Sequence, residues 1–365
     1  MPDIKVAILN MKGNFDKTLG MGTQRTSYEL WKHIRPLAPK AGVDVTKVEV
    51  GVGSRPGIKK VSFTVLLPLY NFSRYDIVHL LIPMPHTPFA GKNTSILTTI
   101  NEFVLLDKGT VPYKKMYSDQ NHGNKNPVTH FVSDRIGNRI HKQIFNSDYL
   151  SVNSTQTMAE AIKLGYPKER IFIINHGVDE RFLSPIPKKR NMKFRIGFIG
   201  ALNIRKNMSF AIDAFKKIDS GRFELEIWGK PLLEYNNLVE QAKDDNRIKF
   251  MGFAAEERIV SIYDRFDAFV FPSLYEGFGL PIIEAQARGL PVIIYKGAKI
   301  PAEIRKYCLE AKDEKRMAQI ITDLESKGYE NRKASTAYAR KYTRQKEAQD
   351  TLEVYRKIYE RGKPV

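Results

Sequence analysis

Two glutamates, Glu276 and Glu284, flank a glycine-containing loop in the stretch PSLYEGFGLPIIEAQARGLPV at 272–292. Gly277 and Gly279 give this loop backbone freedom and expose its N–H groups, an arrangement that suits phosphate oxygens and sugar hydroxyls. A carboxylate accepts hydrogen bonds from both hydroxyls of a vicinal diol such as ribose, and charged hydrogen bonds contribute about 1.5–3 kcal/mol each. The stretch therefore predicts a site that binds an anion and a sugar diol where a helix begins.

The helix is predicted to begin near Pro281, because proline suits the first position of a helix. Glu284 then lies in the first turn and points towards whatever the loop holds. A carboxylate there also compensates the positive end of the helix dipole, and this role is compatible with binding a diol. Glu276 belongs to the loop itself, and we expect it nearer the reacting sugar.

The turn GALNIRKN at 200–207 places two cations, Arg205 and Lys206, where the chain leaves a predicted strand. Arginine supplies a planar fork of donors and lysine a point charge, so the pair suits a diphosphate. A solvated basic loop in a basic protein is the alternative interpretation.

The turn LGMGTQRTSYEL at 19–30 follows the first predicted strand. Gly20 and Gly22 let the backbone approach a ligand, and Thr23 can cap the next helix, whose N–H groups and dipole favour an anion. An ordinary glycine turn explains the same residues equally well.

A further polar turn, IINHGVDERF at 173–182, carries His176 directly after a predicted buried strand. A lone histidine in such a place more often makes structural hydrogen bonds than takes part in catalysis. We therefore predict a structural role for His176.

These turns need a scaffold, and the chain alternates short apolar runs with helical stretches, the pattern of parallel sheets with crossover helices. Such sheets bind ligands beyond the carboxyl ends of their strands, where these turns lie. A basic, proline-rich stretch at 184–193 separates two domains, and a long helical pattern runs from about Ala334 to Arg361. Strands are predicted at 4–10, 76–82, 149–153, 171–175, 194–200, 223–229, 248–253, 268–273 and 291–295.

The composition narrows the class of protein. With 365 residues, the chain is too long for one ordinary core. A formal net charge of +19 favours an anionic partner such as a nucleotide, an acidic membrane surface or a nucleic acid. The longest apolar runs are shorter than the roughly 20 residues that span a bilayer. The single cysteine, Cys308, excludes an internal disulfide framework and a cysteine-rich metal site, and it indicates a reducing cytoplasm.

The block EGFGLPIIEA, in which seven residues separate Glu276 from Glu284, resembles the signature of the retaining family 4 glycosyltransferases. GALNIRKN resembles the donor-phosphate turn of that family, and DIVHLL and SVNSTQTMAEAIKLGYPKERIFIINHGVDERF resemble segments of its first domain. The resemblance implies the GT-B fold: an α/β protein with two Rossmann-like domains whose parallel sheets face each other across a cleft. Residues 1–187 would form the acceptor-side domain, 188–335 the donor domain, and 336–365 a helix that returns to the first domain.

The resemblance also implies roles for individual residues. Lys206 and Arg205 would neutralise the leaving diphosphate, Glu276 would hold the transferred sugar, and Glu284 would hold the ribose of the donor. Trp228 would lie beside the nucleobase of the donor. Packing in the core is an equally good explanation for this residue. The other implied donor-binding residues are Gly20, Gly22, Thr23, Gly277, Phe278, Gly279, Leu280, Trp228, Gly229 and Phe253.

Two positions depart from the family pattern. Ala201 stands where many members have an arginine, so either Arg205 takes over that charge or the phosphate is held less tightly. Members commonly carry a His-Asp pair after a first-domain strand, whereas here Ser118 precedes Asp119. His122 is close enough in sequence to substitute, and Asp119 and His122 are therefore included among the candidate catalytic residues.

The function implied is transfer of a sugar from a nucleotide sugar, UDP- or GDP-linked, to a saccharide, lipid-linked or protein acceptor. Retention of anomeric configuration and independence of metal and other cofactors are implied as well. The alternatives are a sugar-nucleotide epimerase or phosphorylase of the same fold, or a charge-driven binding module with a vestigial cleft. We expect a cytoplasmic protein; contact with the anionic inner membrane face stays open, and nucleic acid is not the expected partner.

Overall fold

The computed structural model describes residues 3–11, 23–51, 66–83, 88–103, 144–186, 192–232 and 234–364. Four of the predicted site residues lie outside these ranges: Gly20, Gly22, Asp119 and His122.

The chain divides into two compact units. Unit 1 holds the described residues of Met1–Asn101, Asn124–Gly177 and Thr343–Val365, and unit 2 holds those of Glu102–Gly123 and Val178–Tyr342. The chain thus passes from unit 1 to unit 2 directly after Gly177, ahead of the basic stretch at 184–193. The domain bounds inferred from the sequence stay a prediction.

Within the described part of unit 1, six parallel strands form one sheet in the order β2-β1-β3-β4-β5-β6. The strands are β1 (Ile4–Met11), β2 (Val43–Val50), β3 (Ile77–Leu80), β4 (Ser95–Ile100), β5 (Tyr149–Val152) and β6 (Ile171–Ile173). The helices are α1 (Thr23–Leu37), α2 (Thr155–Lys163) and α10 (Arg344–Arg361), with 3-10 turns at Pro39–Ala41, Leu67–Leu69 and Lys168–Arg170.

The described part of unit 2 holds a second parallel sheet, in the order β12-β11-β10-β7-β8-β9. Its strands are β7 (Phe194–Ile199), β8 (Phe223–Trp228), β9 (Ile248–Gly252), β10 (Ala268–Phe271), β11 (Val292–Tyr295) and β12 (Leu309–Ala311). The helices are α3 (Met208–Lys216), α4 (Tyr235–Ala242), α5 (Ile259–Tyr263), α6 (Leu280–Ala287), α7 (Ala302–Arg305), α8 (Glu314–Lys327) and α9 (Arg332–Ala339). The 3-10 turns are Glu180–Leu183, Ile204–Lys206 and Glu256–Arg258.

The prediction of two α/β units built on parallel sheets is confirmed. Each predicted strand coincides with an observed one, because runs that are buried on both faces of a parallel sheet are mostly apolar. Every residue of β3, β5, β8 and β10 is buried. Three strands were missed: β2, β4 and β12. Their polar content, as in VDVTKVEV and SILTTI, hides them from a search for continuous apolar runs.

The helical tail is not one helix, which corrects the sequence-based interpretation. It forms α9 in unit 2 and α10 in unit 1, and the break falls just before Thr343, whose side chain accepts a hydrogen bond from Lys346 N at 3.0 Å as the cap of α10. The apolar face of α10, including Leu352 and Tyr355, packs into the core of unit 1. The last helix therefore belongs to the core of the unit that contains the first strand.

Buried hydrogen bonds to Glu347 fix α10 in register. His176 Nδ1 lies 2.8 Å from Glu347 Oε1, while Gly177 N and Arg344 Nη1 donate to Glu347 Oε2 at 3.0 and 2.8 Å. Burial favours the neutral acid, but Arg344, His176 and these hydrogen bonds outweigh it and lower the pKa of Glu347 to about 2. His176 thus makes structural hydrogen bonds, as we predicted.

The lowered pKa of Glu347 makes the stability of the protein depend on pH. The folded-state pKa of Glu347 lies below its ordinary value of 4.5, so its contribution is present above that value and is lost as the pH falls towards about 2. We expect Glu347→Gln to lower the free energy of unfolding by about 3 kcal/mol at neutral pH, and by less at about pH 4. Urea unfolding at both pH values measures this. Glu353→Gln, an exposed change on the same helix, is the control, and equal losses for both variants would contradict the assignment.

Candidate functional site

The loops that follow β7 and β10 meet at the point where the strand order of unit 2 reverses. Along the chain the sheet grows from β7 through β8 to β9 on one side, and from β10 through β11 to β12 on the other. Because all strands are parallel, the loops after β7 and β10 leave the same edge on either side of this reversal. Open α/β sheets bind ligands in the crevice at such a point.

The β7 loop is built to present Arg205 and Lys206. Asn203 opens a 3-10 turn, and its side chain accepts a hydrogen bond from Lys206 N at 3.2 Å. Asn207 closes the turn in the left-handed conformation, at φ 52°, and donates to Pro272 O at 3.3 Å. Leu274 N donates to Arg205 O at 2.9 Å, so backbone and side-chain bonds join this loop to the loop after β10.

The two loops bring the predicted cations and Glu276 together. Lys206 Nζ donates to Glu276 Oε1 at 2.5 Å, and Arg205 Nη1 lies 3.3 Å from Glu276 Oε2. Ser273 Oγ, fully buried, also donates to Oε1 at 2.5 Å. Lys206 and Glu276 are each only 7% exposed, and the Lys206 ammonium lies 4.5 Å from the centre of the Phe271 ring, within cation–π range. Side chains 70 residues apart in sequence thus form one buried charged cluster.

The charges of this cluster shift the pKa values of Glu276 and Lys206. Burial raises the pKa of a carboxyl group, but Lys206, Arg205 and the hydrogen bond from Ser273 outweigh this effect and hold the pKa of Glu276 below its usual range. Burial lowers the pKa of Lys206, and the charge of Arg205 lowers it further, against the attraction of Glu276. Glu276 is therefore a carboxylate at neutral pH, held next to two cationic side chains.

The glycine loop reaches α6 through a left-handed residue. Gly279 has φ +99° and precedes the first residue of α6, Leu280, and a Cβ there would approach Ile282 and Ile304 to 3.3–3.4 Å. Glycine is the residue that adopts this conformation without strain. The Phe278 side chain is buried and packs edge-on against Tyr342 with ring centres 5.8 Å apart, so this residue offers its backbone rather than its ring.

Glu284 lies one position deeper in the helix than we predicted. Helix α6 begins at Leu280, so Glu284 is its fifth residue and belongs to the second turn, where compensation of the helix dipole is weak. The side chain is 3% exposed, and its Oε2 accepts a hydrogen bond from Tyr263 Oη at 2.9 Å. Glu284 is thus a buried, hydrogen-bonded carboxylate behind the loop that carries Glu276.

The remaining described candidates differ in exposure. Trp228 packs into the core of unit 2 and donates through Nε1 to Glu226 at 3.1 Å. Gly229 approaches the neighbouring strand end so closely that a Cβ would lie 1.8 Å from Gly200 O. Phe253 is 57% exposed just after β9. Thr23 is the first residue of α1, and its side chain is not described.

The described residues show neither a metal cluster nor a membrane-spanning helix. Among them, no group of three or more His, Cys, Asp or Glu side chains is arranged to hold a metal ion. None of their helices combines the length and apolar character that crossing a bilayer requires.

Part of this chain is similar in sequence to a known protein family. Residues 179–342, most of unit 2 with the Lys206–Glu276 cluster, match the family described as glycosyl transferases group 1. The O-antigen chain mannosyltransferase B of Escherichia coli is 26% identical over 178 residues, which are 44% of this chain and 47% of that protein. The family match thus concerns unit 2. The curated relatives match over 33% to 66% of their own length, so the alignments cover part of each protein.

Solved structures support the α/β fold with two parallel sheets over nearly the whole chain. The sucrose-phosphate synthase of Thermosynechococcus elongatus superposes with a TM-score of 0.70 at 16% identity, covering 98% of this chain and 100% of that one. HepE of Anabaena, solved in complex with UDP and glucose, gives a TM-score of 0.63 at 16% identity over 97% and 100% of the two chains. The comparisons do not favour an epimerase, a phosphorylase or a charge-driven binding module.

The buried pair should behave as a coupled unit. Lys206→Met leaves the Glu276 carboxylate buried without its closest cation, and we expect a loss of about 3 kcal/mol in the free energy of unfolding. The double variant Lys206→Met with Glu276→Gln should lose less than the sum of the two single variants. Urea unfolding of the four proteins measures the coupling. Strict additivity would show that the two side chains do not interact in solution.

Proposed function

We propose that the protein is a metal-independent, retaining hexosyltransferase that uses a nucleoside diphosphate sugar as donor. The observation that carries the proposal is the buried cluster of Lys206, Arg205 and Glu276 at the point where the sheet order of unit 2 reverses. The two cations offer positive charge to a diphosphate and Glu276 offers hydrogen-bond acceptors to a sugar, while Glu102, 3.5 Å from Arg205 Nη1, adds a second carboxylate to the cluster. The match of residues 179–342 to group 1 glycosyl transferases supports this interpretation.

The diphosphate of the donor would bind the cations. Lys206 now donates to Glu276 Oε1. A diphosphate bound next to it brings two negative charges against the single charge of Glu276, so the ammonium can turn from Glu276 to the diphosphate. Arg205 adds a second cationic donor next to it. Both charges act in a desolvated place, where they stabilise the negative charge that develops as the sugar–phosphate bond breaks. Positioned cations of this kind perform the role that a metal ion takes in other transferases.

Glu276 would then hold the transferred sugar. When Lys206 turns to the phosphate, Ser273 Oγ still donates to Glu276 Oε1 and keeps the carboxylate charged and in place. This carboxylate then accepts hydrogen bonds from hydroxyls of the sugar. The backbone N–H groups of the loop 277–280 and the start of α6 add donors for the phosphate.

Glu284 would bind the ribose, since a carboxylate accepts a hydrogen bond from each hydroxyl of a diol. Retention of configuration would follow if the acceptor attacks from the face that the diphosphate leaves, with a phosphate oxygen taking the proton of the acceptor. UDP is the proposed nucleotide, because HepE of Anabaena was solved with UDP and glucose. A saccharide is the proposed acceptor, because the relative in Escherichia coli is an O-antigen chain mannosyltransferase.

Titration calorimetry of the purified chain with UDP, GDP and ADP, with and without EDTA, tests the donor site. We expect one nucleotide to bind independently of EDTA, and Lys206→Met to weaken that binding about tenfold through the loss of a charged hydrogen bond. Lys249→Met, which removes a half-exposed lysine on β9, is the matched control and should bind as the wild type does. Unchanged binding in the folded Lys206→Met variant would refute the proposed site.

Proton NMR of the first sugar released or transferred tests retention. With the donor sugar of the nucleotide that binds, the product should show the anomeric coupling of the donor. Glu276→Gln should lower kcat strongly, because a neutral amide offers the sugar hydroxyls one acceptor atom instead of two. A product of inverted configuration would contradict the retaining mechanism and leave the donor site standing.

A further inference from the structure

The carboxylate of Glu284 depends on a tyrosine from another helix. Tyr263 is the last residue of α5 and is fully buried, and its hydroxyl donates to Glu284 Oε2 at 2.9 Å. The same hydroxyl lies 3.5 Å from Pro281 O, one turn earlier in α6. The Tyr263 hydroxyl therefore contacts both of the first two turns of α6, the helix that follows the glycine loop.

The ring of Tyr263 has little freedom to move. Phe182 packs edge-on against it with ring centres 5.5 Å apart, Phe269 lies tilted at 5.3 Å, and Phe266 packs edge-on at 6.3 Å. All three of these phenylalanines are fully buried. Aromatic contacts on several sides fix the ring plane, so they also fix the position of the hydroxyl.

An ion pair between the residues that directly follow α6 and α5 joins the ends of the two helices. Arg288 donates to Asp264 through Nε at 2.7 Å and through Nη2 at 2.9 Å, and the Arg288 side chain is 2% exposed. Arg288 follows Glu284 by four positions and Asp264 follows Tyr263 directly, so both contacts form between the same faces. The C-terminal end of α5 therefore contacts Glu284 within α6 and Arg288 directly after it.

We infer that Tyr263 is a positioning residue that orients the Glu284 carboxylate for the ribose diol, an inference that rests on the proposed function. Each carboxylate oxygen has two lone pairs. Oε2 can therefore accept the Tyr263 hydroxyl and one ribose hydroxyl, while Oε1 accepts the other. The fixed donor at Oε2 sets the plane of the carboxylate, and both ribose hydroxyls then meet an oxygen in the correct direction. Tyr263 itself contacts no ligand in this arrangement.

The test compares UDP with 2′,3′-dideoxy-UDP by titration calorimetry, and repeats the comparison for GDP if GDP is the nucleotide that binds. Tyr263→Phe keeps the ring and removes only the hydroxyl. We expect this variant to weaken UDP about tenfold while changing the affinity of the dideoxy form by about twofold at most. In the Glu284→Gln background, Tyr263→Phe should have little further effect on UDP. Tyr329→Phe, which removes a hydroxyl bonded to the carbonyl of Tyr307, is the control and should leave both affinities unchanged.

The outcomes separate this inference from the proposed function. Equal weakening of UDP and its dideoxy form in Tyr263→Phe would mean that the hydroxyl supports packing in general, and this would overturn the inference. Unchanged UDP affinity in Tyr263→Phe, when Glu284→Gln does weaken UDP, would overturn it as well. If the folded wild type binds no nucleoside diphosphate, or if Glu284→Gln binds UDP and its dideoxy form as the wild type does, the proposed ribose site is wrong and the role of Tyr263 falls with it.

Discussion

Inside unit 2, the ammonium of Lys206 and the carboxylate of Glu276 lie 2.5 Å apart, almost without access to solvent. Removing two charges from water costs several kcal/mol per ion, and only close geometry with further hydrogen bonds offsets that cost. Arg205 and Ser273 supply those further contacts. Protein stability alone does not require such a cluster, because an apolar pair of the same volume would pack as well. Its presence where the sheet order reverses fits a site prepared for a charged ligand.

Other elements of unit 2 position the residues of this cluster. Neighbouring parallel strands β7 and β10 deliver the two loops to one edge, and the bond from Leu274 N to Arg205 O ties the loops together. Glycine at 279 turns the chain into α6, and α6 carries Glu284 behind the loop. Backbone and side-chain hydrogen bonds and the start of α6 thus hold the loops that carry the charged residues, which keeps their geometry ready before a donor binds.

The sequence predicted much of this arrangement because the decisive features are local. Apolar runs identified most strands, and the turns at strand ends identified the cations and the glutamates as candidate site residues. The direct pairing of Lys206 with Glu276 was not predicted. Ser273 and Tyr263 were not identified. Nothing in a single sequence shows that a tyrosine in a short helix donates to a glutamate 21 positions later, because that contact depends on how α5 packs against α6. Strand β2 was missed for a related reason, since its polar residues are accommodated by its place at the edge of the sheet.

A crystal structure of the protein bound to UDP would test the central claim most directly. The account predicts that Lys206 Nζ leaves Glu276 and lies within about 3 Å of a phosphate oxygen, while Ser273 keeps its hydrogen bond to the Glu276 carboxylate. The diphosphate would lie against the loop 277–280 and the ribose against Glu284. A nucleotide bound elsewhere, with the Lys206–Glu276 pair unchanged, would contradict the assignment of this cluster as the donor site.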